Sequence, residues 1–303
     1  MGELRKSQFS KKRRSFFPRP SPIRRTAFCG TFALLLWLVV INSIPPAQGA
    51  TSLYLPLILK LHHDDVPSPP VVPTPPPDSQ FDKVFVNPRV EGDVDQIQFG
   101  TPGKDKIEQY GGTGNTTQYA EGSEGDDWIL QVGGDKLSDQ TVILGDGDDT
   151  VYQFGGKGDN NQYALGAAGN EMIIQVGGAG NNKMEALGGT GSSTIEQYGG
   201  QGKNTMKVQG GSVDDIIKMY GENNADAMTY RVTPGNDKVT INAGQGDDTL
   251  TIYKVGQNFT LVDNNGKVIF KSGDGGSTII VTNTEHIKVI GDDGSIIFQW
   301  DTP

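Results

Sequence analysis

The sequence predicts an all-β protein, a parallel β-roll or β-solenoid of 22-residue coils with a C-terminal β cap. Three observations predict it. Written in rows of eleven from Arg89, the chain stays in register to Tyr253, fifteen rows without an insertion, and twelve of them carry Gly at the fourth position (all but Lys136, Val213 and Asn224). The eighth position of the rows alternates in type: Gln96, Ile107, Gln118, Ile129, Gln140, Val151, Gln162 and Ile173, then Met184, Ile195, Met206, Ile217, Met228 and Val239. The 42 glycines and 17 prolines among 303 residues are too many for an ordinary α/β core. A fixed short period marks a solenoid, in which each unit buries its apolar face only against its neighbours. The alternation doubles the unit to 22 residues, two short strands in facing sheets joined by two glycine-rich turns.

Residues 1–49 read as a signal peptide. Arg5, Lys6, Lys11, Lys12, Arg13, Arg14, Arg19, Arg24 and Arg25 stand against one acid, Glu3, ahead of the uncharged run Ala27 to Ile44. Small residues follow, with Ala47 and Gly49 at −3 and −1 of a cut before Ala50. A rival reading keeps this segment as an uncleaved anchor, because a spanning helix needs at least about 17 apolar residues. Cys29 precedes the apolar run, which argues against a lipid-anchored cysteine. The expected location is therefore secreted or extracellular, with attachment to the cell surface and contact with membrane only if the signal is retained.

Without the signal, 17 of 26 Lys and Arg and 35 of 36 acids remain, a net charge of −18. Such a chain repels nucleic acid and anionic membranes, and its natural counter-ions are cations. The single cysteine leaves with the signal, so no disulfide staples the exported protein. Residues 50–80 read as a linker. The stretch HHDDVPSPPVVPTPPPDSQ, residues 62–80, holds seven prolines and should be an extended, solvated polyproline spacer. His62, His63, Asp64 and Asp65 could together hold a transition metal, but four adjacent residues do not easily all point at one ion, which favours a solvated linker. Leu53 to Leu61 is too short to span a bilayer.

The solenoid proper occupies residues 81–253, with Phe81 to Pro88 as a lead-in strand. Side chains alternate along a strand, so the eighth and tenth positions of each row point inward. Ile107, Ile129, Val151, Ile173, Ile195, Ile217 and Val239 then stack about 4.8 Å apart. Gln96, Gln118, Gln140 and Gln162 form one amide ladder, and Gln109, Gln131, Gln153, Gln175 and Gln197 a second. Amides stacked in this way bond one another along the axis. The ninth and eleventh positions face out and line up Tyr110, Leu130, Val132, Tyr152, Phe154, Ile174, Val176, Tyr198 and Tyr220. An exposed strip of that length would suit a protein or polysaccharide partner; a bend that turns the eleventh residue inward would remove it. Residues 254–303 lose the register and read as a β cap of short strands, Asn258 to Val262, Lys267 to Phe270, Thr278 to Val281, His286 to Ile290 and Ser295 to Trp300, with Trp300 packed over the last coil.

The rows GDGDDTVY and GQGDDTLTI, and the looser GNDKVTI, resemble the G-G-x-G-x-D-x-U-x nonapeptides of the RTX (haemolysin-type) calcium-binding β-rolls. The resemblance covers residues 89–253, and the rows here are two residues longer than the family's. It implies calcium between the turns of successive coils, held by the sixth-position Asp and by carbonyls of the glycine loops. Carried over by position, the metal ligands would be Asp105, Asp127, Asp149, Glu171, Asp215 and Asp237 on one edge, and Asp226 and Asp248 on the other. Thr116, Ser138, Asn160, Asn182, Ser193 and Asn204 replace acids in the middle, where Asn and Gln ladders would serve without metal, since calcium wants several carboxylates among six to eight oxygens.

No catalytic constellation appears. The three histidines are His62, His63 and His286, and G-x-S-x-G, H-E-x-x-H and the phosphate-loop motif are all missing. The sequence thus points to a non-enzymatic, exported, calcium-binding β-solenoid that acts as a structural, adhesive or surface-display module. A second reading is a metal-independent solenoid that binds a polymer or protein through its exposed face, its acids being turn formers. A third is a carbohydrate-active enzyme, for which the repeats supply many carboxylates.

Overall fold

The computed structural model describes residues 66–264, 267–272 and 276–301. The signal, the cut before Ala50, the run Leu53 to Leu61 and the residues His62 to Asp65 lie outside the described residues. Strands number β1 to β21 in chain order. Sheet A takes β1 (Lys83–Asn87), β3 (Asp105–Tyr110), β5 (Trp128–Val132), β7 (Thr150–Phe154), β9 (Met172–Val176), β11 (Thr194–Tyr198), β13 (Ile216–Tyr220) and β15 (Lys238–Asn242), then β19 (Thr278–Thr282), β18 (Lys267–Ser272) and β17 (Phe259–Asn264). Sheet B takes β2 (Val94–Phe99), β4 (Thr116–Glu121), β6 (Ser138–Ile143), β8 (Asn160–Leu165), β10 (Asn182–Leu187), β12 (Asn204–Gln209), β14 (Ala227–Arg231) and β16 (Thr249–Tyr253), then β20 (His286–Ile290) and β21 (Ile296–Asp301). The protein is a parallel β-solenoid of 22-residue coils. Pairing holds one register throughout: Ile107 lies beside Ile129 and Ile129 beside Val151, Gln118 beside Gln140 and Gln140 beside Gln162.

The turns need glycine at specific places. Gly125 and Gly147 have φ of 110° and 150°, and a Cβ on them would lie 2.5 Å from the Gly103 oxygen and 2.2 Å from the Gly125 oxygen. Both the backbone conformation and the approach of the neighbouring coil exclude a side chain there.

Between the sheets lie four inward columns. The Ile/Val column of sheet A, from Ile107 to Ile279, is buried, as are the small residues Ala120, Val142, Ala164 and Ala186 of sheet B that face it across the interior. The remaining two columns are the glutamine ladders. In sheet B, the amide nitrogens of Gln118, Gln140 and Gln162 donate to the side-chain oxygens of Gln96, Gln118 and Gln140 at 3.0, 2.9 and 3.0 Å. In sheet A, Gln131, Gln153, Gln175 and Gln197 donate likewise to the preceding glutamine at 2.7 to 2.9 Å. The second proton of each sheet A amide crosses the core to a carbonyl of sheet B, as from Gln153 to Tyr163 at 3.1 Å. Each ladder ends where a methionine follows, Met184 after Gln162 and Met219 after Gln197. There the terminal oxygens, Gln162 Oε1 and Gln197 Oε1, are buried without a hydrogen-bond partner.

The coils continue further than the repeat suggests. The eleven-residue rows end at Tyr253 and leave residues 254–303 wholly to a cap. In the structure β19 and β20 pair in parallel with β15 and β16, Lys238 beside Thr278 and Thr249 beside His286, and so form one more turn of the solenoid. The antiparallel hairpin β17–β18 is inserted ahead of this turn and displaces the eleven-residue register without altering the stacking. Ile279, Val281, Ile287 and Val289 keep the inward alternation and are buried. Antiparallel strands then close both sheets, β18 beside β19 and β21 beside β20, and Trp300 and Phe298 pack against the core. An antiparallel neighbour ends the parallel stacking, which blunts an edge that could otherwise recruit further strands.

The proline-rich segment keeps most of its described residues exposed but meets the solenoid at two places. Val66, Pro70, Pro73, Pro75 and Pro76 are half-buried and the other residues from 66 to 80 are exposed, so Pro70, Pro73 and Pro76 fall on one side with Pro75 beside them. That spacing of three is the period of a left-handed polyproline helix with one face against a surface. At its end Asp78 meets Lys106 at 2.7 Å; near its start, Val66, Pro67, Ser68 and Pro69 share a cleft with Glu222, Asn223, Gly244 and Gln245. The segment therefore straps the solenoid. Twelve residues of polyproline helix reach about 37 Å, enough to cross obliquely the five or six coils, about 4.8 Å each, between those points. What lies beneath is the aromatic and aliphatic strip. Trp128, Leu130, Phe154, Val176 and Tyr198 are buried on the outer side of sheet A, in a cluster separate from the core. Leu130 is fully covered, whereas Ile97 and Phe99 at matching positions of sheet B are 65% and 57% exposed. The eleventh residue thus faces outward with the seventh and ninth. The strip in sheet A is buried, and it lies between the two places where the proline-rich segment meets the solenoid.

The ladders generate a prediction in which position outweighs residue type. Gln153→Met should strand two buried groups, Gln131 Oε1 and one proton of Gln175, at about 1–3 kcal/mol each, a loss of roughly 2–5 kcal/mol in urea unfolding. Gln197→Met only moves the unpartnered oxygen one coil back and should cost less than about 1 kcal/mol. Equal losses would mean that the ladder is not what holds the interior.

Candidate functional site

The sixth position of each row, where the acids concentrate, lies at the end of a glycine turn just before a strand begins. All eight residues proposed as ligands are buried there: Asp105, Asp127, Asp149, Glu171, Asp215 and Asp237 along one edge, Asp226 and Asp248 along the other. Thr116, Ser138, Asn160, Asn182, Ser193 and Asn204 occupy equivalent buried places.

Two hydrogen bonds define the position. Along the axis, the side chain accepts from the backbone N–H of the sixth residue one coil earlier: Asp105 N–H to Asp127 Oδ1 and Asp127 N–H to Asp149 Oδ1, both 2.7 Å, Ser193 N–H to Asp215 at 2.7 Å, and Asp226 N–H to Asp248 at 2.7 Å. Within the coil, it accepts from the N–H four residues earlier and clips the turn shut. Gly134 donates to Ser138, Gly156 to Asn160, Ala167 to Glu171, Gly178 to Asn182, Gly211 to Asp215 and Glu222 to Asp226. Acids, amides and hydroxyls all make this clip. The amides add a ladder of their own, Asn160 to Asn182, Asn182 to Asn204 and Asn204 to Asp226, at 2.8, 2.8 and 2.9 Å.

The eight acids divide by what their second oxygen meets. Asp105 Oδ2 accepts from Thr101, Asp237 Oδ2 from the Tyr230 and Thr233 hydroxyls, and Glu171 Oε2 from Ser193. Both oxygens of Asp215 and of Asp226 are taken by backbone N–H groups. In Asp127, Asp149 and Asp248 the clip is missing, and Oδ2 is buried without a partner. Ser123, four residues before Asp127, has φ of 95°, and the N–H of Gly244, four before Asp248, is turned to Asn242 instead. A Cβ at Gly122 would lie 2.5 Å from Asp127 Oδ2, so the glycine leaves open the space beside this oxygen.

Burial pushes the Asp127 carboxyl up to about 7, with Asp149, Asp105 and Asp126 adding repulsion against the hydrogen bond from Asp105. Burial likewise raises Asp149 to about 7, helped by Glu171, Asp126 and Asp148, and Asp248 to about 7, helped by Asp226, Glu285 and Asp247. Among the described residues, no three His, Cys, Asp or Glu side chains gather as a chelating group. An ion here would rely on one or two carboxylates and on backbone oxygens.

A column that sequence reasoning passed over lies beside this one. The exposed fifth-position side chains accept, in the opposite direction, from the fifth-position N–H one coil later: Asp93 from Asn115, Asp126 from Asp148, Asp148 from Asn170, Asp159 from Asn181 and Asp214 from Asn236. The recurrence of Asp and Asn at that position was its signal. His286 bridges Asp301 at 2.7 Å and Asp247 at 2.8 Å, tying the closing strand β21 to the last turn.

The raised carboxyls carry a prediction for metal-free protein. Unfolded Asp titrates near 3.9, so between about pH 4 and pH 7 the folded state binds more protons than the unfolded one, and stability falls as pH rises through that window. In chelator, the urea midpoint should be higher at pH 5 than at pH 8, and Asp127→Asn with Asp149→Asn should flatten the difference. A midpoint that rises with pH would contradict it. Comparison of the chain with family models, with curated proteins and with solved structures found no match, so the likeness to the calcium-binding β-rolls rests on the rows of residues 89–253 and on the coils that they form.

Proposed function

We propose that this protein is an exported, calcium-binding β-solenoid that serves as a structural, adhesive or surface-display module without catalysis of its own. The observation that carries the calcium reading is the set of buried oxygens without partners, Asp127 Oδ2, Asp149 Oδ2 and Asp248 Oδ2. They fall in the two acid-rich stretches and on none of the Asn, Ser or Thr rows. A carboxylate oxygen held out of water needs a proton or a cation. A turn edge that also stacks glycine carbonyls, Gly103 over Gly125 and Gly125 over Gly147, offers the hard oxygen donors that calcium prefers. Asp127 and Asp149 would hold the ion on one edge and Asp248 on the other. Bound there, calcium would neutralise stacked acids and cross-link successive coils. Asp105, Glu171, Asp215, Asp226 and Asp237 already have hydrogen bonds to both oxygens and would hold the turns without an ion. Extracellular calcium sites commonly have dissociation constants of about 10⁻⁴ to 10⁻³ M, which suits an exported chain.

The metal-independent reading has its own support, because Asn160, Asn182 and Asn204 build the same turn without charge. In that reading the partner-binding face is the outer side of sheet B, where Ile97 and Phe99 are exposed and the Phe99 and Tyr119 rings lie 5.8 Å apart.

Melting temperatures in chelator, millimolar calcium and millimolar magnesium separate the two. Calcium at tenfold over its dissociation constant should add about 1.4 kcal/mol per site, and magnesium should not match it. Asp149→Asn should reduce the gain. Asn182→Ala should lower stability through its ladder yet leave the calcium gain intact. Identical melting in all three buffers would discard calcium and leave the metal-independent solenoid.

A further inference from the structure

The strap occupies a surface that is built to receive it. Lys106 is buried, with 6% of its side chain exposed, and its ammonium group is shared between Asp78 of the strap at 2.7 Å and Glu108 of its own strand at 2.8 Å, with the Trp128 ring 6.0 Å away. A lysine so enclosed is held by charge on both sides. Without the strap, it would keep one of its two carboxylates and would face water over a row of aromatic rings. Beyond it run Trp128, Tyr152, Phe154 and Tyr198, with Trp128 and Tyr152 tilted at 6.0 Å and Tyr198 stacked on Tyr220 at 5.1 Å. Aromatic-lined grooves recognise polyproline helices because the ligand is already ordered and loses little entropy on docking. The half-buried prolines of the strap, 70, 73, 75 and 76, include the three-residue spacing of that helix, and two residues after Pro76 stands the acid that meets Lys106.

We propose that the outer face of sheet A is a recognition groove for a proline-rich segment ending in an acid, occupied in cis by residues 66–80 and open to the same segment of a second copy once the cis strap is released. The groove has a charged anchor at one end and an aromatic floor, so it reads both the polyproline conformation and the acid. Its self-occupancy makes exchange between copies concentration-dependent. This reading is independent of calcium, since the groove lies on the outer face and the acids line the turns.

The test uses the full chain in two forms, wild type and one with Pro70→Gly, Pro73→Gly and Pro76→Gly, and a fluorescent peptide with the sequence of residues 66–80. A tether that supplies about 1 mM effective concentration lowers the apparent affinity of a competitor with a dissociation constant of about 0.1 mM by roughly tenfold. Anisotropy titration should therefore show saturable binding to the glycine variant about tenfold tighter than to wild type. A peptide carrying Asp78→Lys should bind at least fivefold more weakly. If the glycine variant keeps its β spectrum and binds no peptide, binds it no better than wild type does, or binds a scrambled glycine-rich peptide equally well, the groove is not a recognition site. Should that variant fail to fold, the single change Asp78→Asn in the full chain loosens only the anchor. It should raise peptide binding severalfold, and an unchanged affinity would overturn the proposal.

Discussion

A polar side chain inside this coil finds its hydrogen-bond partners on the next coil, 22 residues away, or nearby on its own. Gln153 donates to Gln131 and accepts from Gln175, and Asn182 is bracketed in the same way by Asn160 and Asn204. Because leaving a buried amide unpaired costs more than a hydrogen bond returns, each such residue fixes the identity of its neighbours along the axis. The 22-residue register follows from that constraint more than from the isoleucine column, which would tolerate a different apolar residue at any level. The same constraint sets how a ladder stops. Met184 and Met219 leave one oxygen unpartnered at each end, a single defect in place of a mixed interior with several. Above those levels the core is apolar on both sheets and reaches the cap through Ile241, Ile252 and Val281.

The fifth and sixth columns extend this logic to the turns. Sixth-position side chains accept from the coil before, fifth-position side chains from the coil after, and the backbone between them is braced in both directions along the axis. A glycine-rich turn has little intrinsic preference for one conformation. Order is imposed by these brackets, which explains how a chain with so many glycines holds one shape without a disulfide.

Period, alternation and amide spacing are enough to read the coils, both glutamine ladders, the two acid edges and nearly every strand of the closing region. Those features are local or repeat at a constant interval, and a constant interval is visible in one dimension. Two features escape for a common reason. The return of β19 and β20 to the stack depends on an inserted hairpin, β17–β18, which breaks the interval while leaving the three-dimensional stacking intact. The strap depends on a non-repetitive segment lying across a repetitive one. Its three-residue period is present in Pro70, Pro73 and Pro76, but polyproline composition alone describes a free spacer as well as a docked one. The apolar strip does face outward, one of the two orientations that its positions in the rows allow; its burial is what the rows do not show. At the site, the pattern marks the eight acids but not their inequality, because whether Oδ2 is satisfied depends on where one N–H points four residues earlier.

That inequality is where structure and chemistry meet. Aspartate and asparagine are close to isosteric, and at the sixth position both accept the axial N–H. They differ in the second terminal atom. The asparagine Nδ2 is a donor and finds the next oxygen in the column, so Asn160, Asn182 and Asn204 close on one another. The aspartate Oδ2 is a second acceptor, and in a column of acceptors it can be satisfied only by a turn N–H, a hydroxyl, a proton or a cation. Asp215 and Asp226 take the first route and Asp237 the second. Asp127, Asp149 and Asp248 are left with the last two, and burial, by pushing their carboxyls up to about 7, favours the proton over the bare carboxylate below neutral pH. Asparagine at these three places would remove the choice. Keeping aspartate there leaves the acid-rich coils with buried carboxyls whose protonation changes near neutral pH, whereas Asn160, Asn182 and Asn204 carry no such group.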